Sequence, residues 1–168
     1  MPNLYIITGP AGVGKSTVSR RLAENKNKSV LIEGDEIYNQ VIGGHIPAWK
    51  KGNHLDLFWN ICFDMIDSYL ASGYDVIFNY IVTLDAYLKI KERFNKYTTR
   101  FVVLIVDEKT ILLRDKQRPE DCQMKERCII LLNNFKNTKY GKDYFLDTTN
   151  LSVEKTLNII ENDNKFLI

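Results

Sequence analysis

The stretch Gly9-Pro10-Ala11-Gly12-Val13-Gly14-Lys15-Ser16-Thr17 constrains this chain more than any other. It follows the apolar run Leu4-Tyr5-Ile6-Ile7 and meets the pattern G-x-x-x-x-G-K-[ST] in full, between a predicted strand (Leu4 to Thr8) and a predicted helix (Lys15 to Glu24). The glycines let backbone N–H groups along Gly9, Gly12, Val13, Gly14, Lys15, Ser16 and Thr17 converge on phosphate oxygens. The helix N-terminus adds its partial positive charge, Lys15 reaches toward the terminal phosphates, and the Ser16 hydroxyl can hold magnesium. A plain glycine turn opening a helix would not require lysine and serine together.

The rest of the chain alternates strand and helix. Ser29 to Glu33 reads as a second strand, and Asp35 as the N-cap of a short helix through Val41 that ends at Gly43-Gly44. His45 to Asn53 is a loop. An amphipathic helix follows from His54 to Ala71, with Leu55, Phe58, Trp59, Cys62, Ile66 and Tyr69 at helical spacing. Strands are predicted at Asp75 to Asn79, Arg100 to Val106 and Tyr144 to Asp147, with helices at Asp85 to Phe94, Glu108 to Asp115, Met124 to Phe135 and Val153 to Glu161. Apolar strands alternating with helices imply an α/β fold, a parallel sheet covered on both faces.

With 168 residues the chain suits one domain, residues 1–168, with a core large enough to need no disulfides. Charge is nearly balanced, 23 Lys+Arg against 21 Asp+Glu, and no basic run is interleaved with aromatics, so nucleic acid is not an expected partner. Cys62, Cys122 and Cys128 lack the paired spacing of a zinc site and read as reduced thiols, which suits a cytoplasmic location. The longest apolar run, Phe101 to Val106, is too short to span a bilayer, so no membrane partner is expected, and the chain reads as soluble and unprocessed.

A guanine-reading Asn-Lys-x-Asp run is missing, since Asn25-Lys26-Asn27-Lys28 fails at its fourth place, which argues against a GTPase switch. Val103 to Glu108 is an apolar strand ending in Asp-Glu, as in a motor ATPase. Lys109-Thr110 and the following apolar residues make Asp107 a natural helix N-cap instead. More informative is Glu33-Gly34-Asp35 at the end of the second strand. Strand carboxyl ends line the ligand crevice of an open parallel sheet, so Glu33 and Asp35 should face the phosphates or an acceptor.

On Gly9 to Ser16, Glu33 to Asp35 and the arginine-containing break Leu113 to Asp121, the chain resembles the small P-loop kinases of the shikimate kinase, gluconate kinase, adenylylsulfate kinase and chloramphenicol phosphotransferase group. The resemblance implies a three-layer P-loop NTPase fold with a five-stranded sheet of order 2-3-1-4-5, helices on both faces and a short lid at about residues 114–123. It implies ATP and Mg2+ as cofactors, with Ser16 and Glu33 at the metal. Asp35 would orient or deprotonate the acceptor hydroxyl, while Arg114 and Arg118 would close over the triphosphate. Lys15, Asp35 and Arg118 are then the catalytic set. Asp147-Thr148-Thr149-Asn150 resembles the loop that touches adenine. One departure stands out: the third strand ends in Asn79, where many P-loop proteins place an aspartate near magnesium. Either the acidic pair carries more of the metal site, or Asn79 reads the substrate.

Residues 36–72 occupy the acceptor-binding insertion of that group and offer Tyr38, His45, Trp49 and His54, with Asn79-Tyr80 from the third strand and Gln123 and Arg127 beyond the lid. Trp49, Asn79 and Gln123 join Asp35 as candidate substrate contacts. Aromatic and amide groups suit a hydroxylated small molecule, such as a sugar acid, another metabolite or an antibiotic, better than a dense polyanion. The expected protein is a kinase, monomeric or homodimeric, transferring the ATP γ-phosphate to a small hydroxyl acceptor. The rival is an ATP-binding regulatory or assembly protein with slow hydrolysis and no acceptor.

Overall fold

The computed structural model describes residues 1–50, 52–141 and 143–168. Strands β1 (Asn3–Thr8), β2 (Ser29–Glu33), β3 (Asp75–Asn79), β4 (Thr98–Ile105) and β5 (Phe145–Asp147) form one sheet in the order β2-β3-β1-β4-β5. Every pairing between them is parallel, and the order is the 2-3-1-4-5 implied by the resemblance. Helices α1 (Lys15–Glu24), α2 (Gly34–Tyr38), α3 (His54–Ala71), α4 (Leu84–Arg93), α5 (Glu108–Lys116), α6 (Arg127–Asn137) and α7 (Val153–Asn162) complete the described chain, with short 3-10 turns at Glu120–Cys122 and Asn164–Phe166.

The strands are apolar at nearly every position because both faces of the sheet are buried. Successive side chains point to opposite faces. Leu4 and Ile6 of β1, Val76 and Phe78 of β3, and Phe101 and Val103 of β4 pack with Phe58, Cys62 and Ile66 of α3 and Tyr87 and Ile90 of α4. Tyr5, Ile7, Ile77, Val102 and Leu104 pack on the other face with Leu22 of α1, Ile111 of α5, Leu132 of α6 and Ile160 of α7. Each such side chain removed from water contributes about 1.5–3 kcal/mol, which makes this two-faced burial the main force holding the layers together.

Register brings the carboxyl ends of the strands to one edge: Ile7 and Glu33 both pair with Asn79. The phosphate loop leaves β1 at that edge, and Glu33-Gly34-Asp35 leaves β2 beside it.

The structure corrects several expected boundaries. Asp35 is not the N-cap of α2. Glu33 holds that position without a side-chain cap bond, Asp35 lies in the first turn, and the helix stops at Tyr38, short of Val41. The early start follows from Gly34, where a Cβ would come within 2.6 Å of the Tyr80 ring, so only glycine lets the chain turn so close to β3. The expected helix from Met124 starts instead at Arg127. Met124 and Lys125 turn their amides to the Asp115 carboxylate, and Lys125 adopts φ 50°, outside the helical region. Asp107 does cap α5, accepting the Thr110 N–H at 2.6 Å, and that bond holds its carboxyl below the usual range.

Candidate active site

Gly9 opens the loop at φ 142°, where a Cβ would lie 2.4 Å from the Leu104 carbonyl oxygen; β4 leaves no room for any other residue. At the other end Gly14 is the left-handed N-cap of α1 and supplies no side-chain cap, so the first-turn amides stay free for an anion. The Lys15 ammonium donates to the carbonyls of Gly9 and Pro10, both at 3.0 Å, curling back over the loop. Ser16 Oγ accepts from the Asn79 amide nitrogen at 3.1 Å. A hydroxyl oxygen has two lone pairs, so one remains for a cation.

Burial pushes Lys15 down to about 8, against the pull of Asp35 and with the push of Arg118. A folded value below the unfolded one means that the folded chain gives up this proton first. Folding therefore disfavours the charged form most at neutral pH, and that penalty fades as pH rises toward the unfolded value. A phosphate beside Lys15 reverses the balance by favouring the ammonium. Triphosphate affinity should hold steady up to about pH 8 and then weaken by up to about tenfold per pH unit, with proton uptake on binding. Calorimetry in buffers of different ionisation heat measures both; an affinity flat through this range would remove Lys15 titration from binding.

The phosphate loop forms one wall of a cleft of about 870 Å³ whose lining also includes Asp35, Trp49, Tyr80, Arg114, Arg118 and Arg127. Glu33 is not one of its lining residues. Its carboxylate lies 3.8 Å from Arg20 on α1, and burial, with Glu36 nearby, pushes its pKa up. Glu33 pairs in register with Asn79 and shares its face of the sheet, the face toward Ser16. Asn79 is the residue that stands there, 6 % exposed and held against Ser16 rather than in the cleft wall.

Arg114 and Arg118 reach the cleft from the end of α5 and the turn after it. Arg114 donates to the Val13 carbonyl at 2.7 Å, tying the end of α5 to the phosphate loop. Arg118 donates to Asp115 at 3.3 Å. The buried Asp115 carboxylate also accepts the N–H of Met124 at 3.0 Å and of Lys125 at 2.7 Å. Burial disfavours its charge, but these amides, the Cys128 thiol and Arg118 outweigh burial and hold the carboxyl below the usual range. Nothing in the sequence around Asp115, which sits among Arg114, Lys116 and Arg118, sets it apart from a solvated acid. Gln123, a candidate acceptor contact, donates to the carbonyls of Lys116 and Arg118 at 3.3 and 2.9 Å and braces the turn after α5.

In the cleft lining the Arg127 guanidinium lies 4.7 Å over the Trp49 ring. Tyr38 stacks edge-on with His45, His54 and Phe58, outside the cleft lining. Thr148 and Leu151, from the segment after β5, also line the cleft. There Thr149 Oγ1 accepts the Asp107 N–H at 2.9 Å and joins the ends of β4 and β5.

Fold and site together define a P-loop kinase-like, nucleotide-binding protein. The chain belongs to the AAA domain family, which matches residues 4–129. Among solved structures it is similar to the Deinococcus radiodurans tunicamycin resistance protein (16 % identity, 95 % of this chain and 94 % of that one, TM-score 0.69). It is also similar to a gluconokinase from Sinorhizobium meliloti 1021 (18 % identity, 94 % and 88 %, TM-score 0.67). A sugar kinase from Janibacter sp. HTCC2649 superposes comparably (14 % identity, 94 % and 91 %, TM-score 0.68). At these identities the likeness is one of fold. No curated protein matches the sequence. No described helix is long and apolar enough to cross a membrane.

Proposed function

We propose that this protein is an ATP-dependent phosphotransferase that moves the γ-phosphate of ATP to a hydroxyl of a small molecule. The observation that carries this reading is the convergence of the phosphate loop, Asp35 and two lid arginines on one cleft. The loop amides and Lys15 hold the β- and γ-phosphates. Asp35 takes the acceptor's O–H proton as that oxygen bonds to the γ-phosphorus, while the bond from phosphorus to the β,γ-bridging oxygen breaks and ADP leaves. Arg114 and Arg118 meet charge on the transferring group, and the lid keeps water from competing with the acceptor.

The donor set suits Mg2+. That ion keeps several waters and binds through one or two protein groups plus phosphates, so the free lone pair of Ser16, with Glu33 beside Asn79 acting directly or through a bound water, is an adequate holding set. When bound, it would neutralise charge on the β- and γ-oxygens. Residues 1–168 act as one kinase domain in this reading, 36–72 carrying the acceptor and 114–123 the lid. Its free cysteines fit a reducing, cytoplasmic setting, and it works as a monomer or homodimer.

Asn79 in place of an acid at Ser16 favours one rival, an ATP-binding regulatory or assembly protein with slow hydrolysis and no acceptor. Measuring ADP release from MgATP across a panel of hydroxylated metabolites and antibiotics separates the two. Acceptor-dependent release is expected; release indifferent to every compound supports the rival.

A further inference from the structure

Helix α5 lies along the phosphate loop, and one of its faces makes the contact. Ile111, Arg114 and Asp115 stand at i, i+3 and i+4, so they share that face. Ile111 and Asp115 are buried on it. A Cβ built on Gly12 would lie 3.6 Å from Ile111 Cγ1 and 3.7 Å from Asp115 Cβ, and one built on Gly14 would lie 3.5 Å from Arg114 Nη1. These are ordinary contact distances, so the loop from Gly12 to Gly14 is seated on the helix. The Arg114 bond to the Val13 carbonyl crosses this contact; at 2.7 Å it is at the short end for a nitrogen donor, as a charged guanidinium makes it.

Local geometry leaves the held peptide free to turn. Val13 stands between Gly12 at φ 81° and Gly14 at φ 105°, and glycine crosses between positive and negative φ at little cost. The buried Val13 side chain anchors the residue but not the plane of the peptide that follows it. That peptide is planar and trans, so its carbonyl and its N–H point in opposite directions. Drawing the Val13 oxygen to α5 turns the Gly14 N–H away from that helix, and no described residue accepts from it. Beyond Gly14, the first-turn N–H groups of α1 at Lys15, Ser16 and Thr17 lack intrahelical partners too.

We propose that Arg114 is a positioning residue for the phosphate loop. It holds the Val13–Gly14 peptide in the orientation that offers the Gly14 N–H, with those of Lys15, Ser16 and Thr17, to bound phosphate. A guanidinium suits the work because its five N–H donors lie in one plane: Nη1 grips the loop, and the others remain for the transferring group in the cleft that Arg114 lines. The inference rests on the nucleotide site assigned above and needs no transfer to an acceptor.

ADP keeps the β-phosphate but lacks the transferring group, so it separates positioning of the loop from contact with that group. In calorimetric titrations of the whole protein with Mg2+ present, Arg114→Ala should weaken ADP and ATP alike, each by about tenfold. Arg114→Lys keeps the charge but replaces the planar fork with a compact ammonium, and should still bind ADP at least about threefold more weakly than the unaltered protein. Glycine labelled with 15N reads the loop without nucleotide: among the nine glycines, the Gly14 amide signal should move in both variants while that of Gly73, before β3, stays in place. Weakening confined to ATP in Arg114→Ala, full recovery of ADP affinity in Arg114→Lys, or a Gly14 signal indifferent to both substitutions would each overturn the proposal. An unaltered protein that binds neither nucleotide would remove the phosphate site and the proposal with it. The expected ADP results in a protein without acceptor-dependent ADP release would support the proposal and sink the transfer reading alone.

Discussion

Asp35→Asn is expected to slow acceptor phosphorylation by about 10²–10⁴-fold while ATP affinity changes by less than about threefold. The asparagine keeps the size and the helical position of Asp35 in the first turn of α2 but cannot take the acceptor's proton. Lys15 and the loop amides, assigned to the phosphates in the proposed reaction, are untouched. The substitution removes a negative charge whose pull now raises Lys15, so the ammonium should titrate still lower. A small loss of ATP affinity, larger at alkaline pH, is therefore part of the expected result. Single-turnover transfer rates and calorimetric ATP binding are the measurements. A variant that transfers at the wild-type rate would take Asp35 out of the mechanism.

Asp115→Ala should destabilise the protein by about 2–4 kcal/mol, because it strands buried amide donors and unpairs Arg118. Asp115→Asn is the more telling variant, since it keeps the shape and one acceptor oxygen. It should fold, with a loss nearer about 1–2 kcal/mol, and raise the KM for ATP more than it lowers kcat, because Arg118 loses the partner that aims it into the cleft. A uniform loss of stability with unchanged KM and kcat would leave Asp115 as scaffold only. The two proteins should also differ in acid. The folded carboxyl of Asp115 is held below its unfolded value, so its stabilisation is fully present above about pH 4 and is lost as pH falls through the lower folded value. Asp115→Asn should lack that part of the acid unfolding limb, which thermal denaturation at a series of pH values resolves.

Both predictions turn on features of different legibility. Asp35 was visible in the sequence because strand ends of a parallel sheet meet the ligand and Glu33-Gly34-Asp35 closes such a strand. What could not be read was which acid turns inward. Gly34, pressed against Tyr80, starts α2 two residues early and carries Asp35 into the cleft lining, while the carboxylate of Glu33 lies beside Arg20. Lid arginines were likewise visible as a polar, proline-broken segment, but their anchor was not. Asp115 looks like any surface acid in a charged run. Only the return of the chain at Met124 and Lys125, nine and ten residues on, surrounds it with donors. The backbone bonds of Gln123 were hidden for the same reason: a residue in a turn chooses its partner by a folding detail that composition does not carry.

The sequence by itself determined the parallel three-layer fold, its strand order by resemblance, and the phosphate loop. These rest on local rules: continuous apolar runs demand a sheet buried on both faces, and glycines with Lys-Ser at fixed spacing suffice to build an anion cradle. Tertiary structure alone decided which polar groups stay free to act. Asn79 at Ser16, Glu33 at Arg20, Gln123 in the lid and Arg127 over Trp49 are pairings between residues distant in sequence or turned by a loop. A buried or half-buried polar group binds whichever partner the packed layers bring nearest, and that partner cannot be known until the layers are packed.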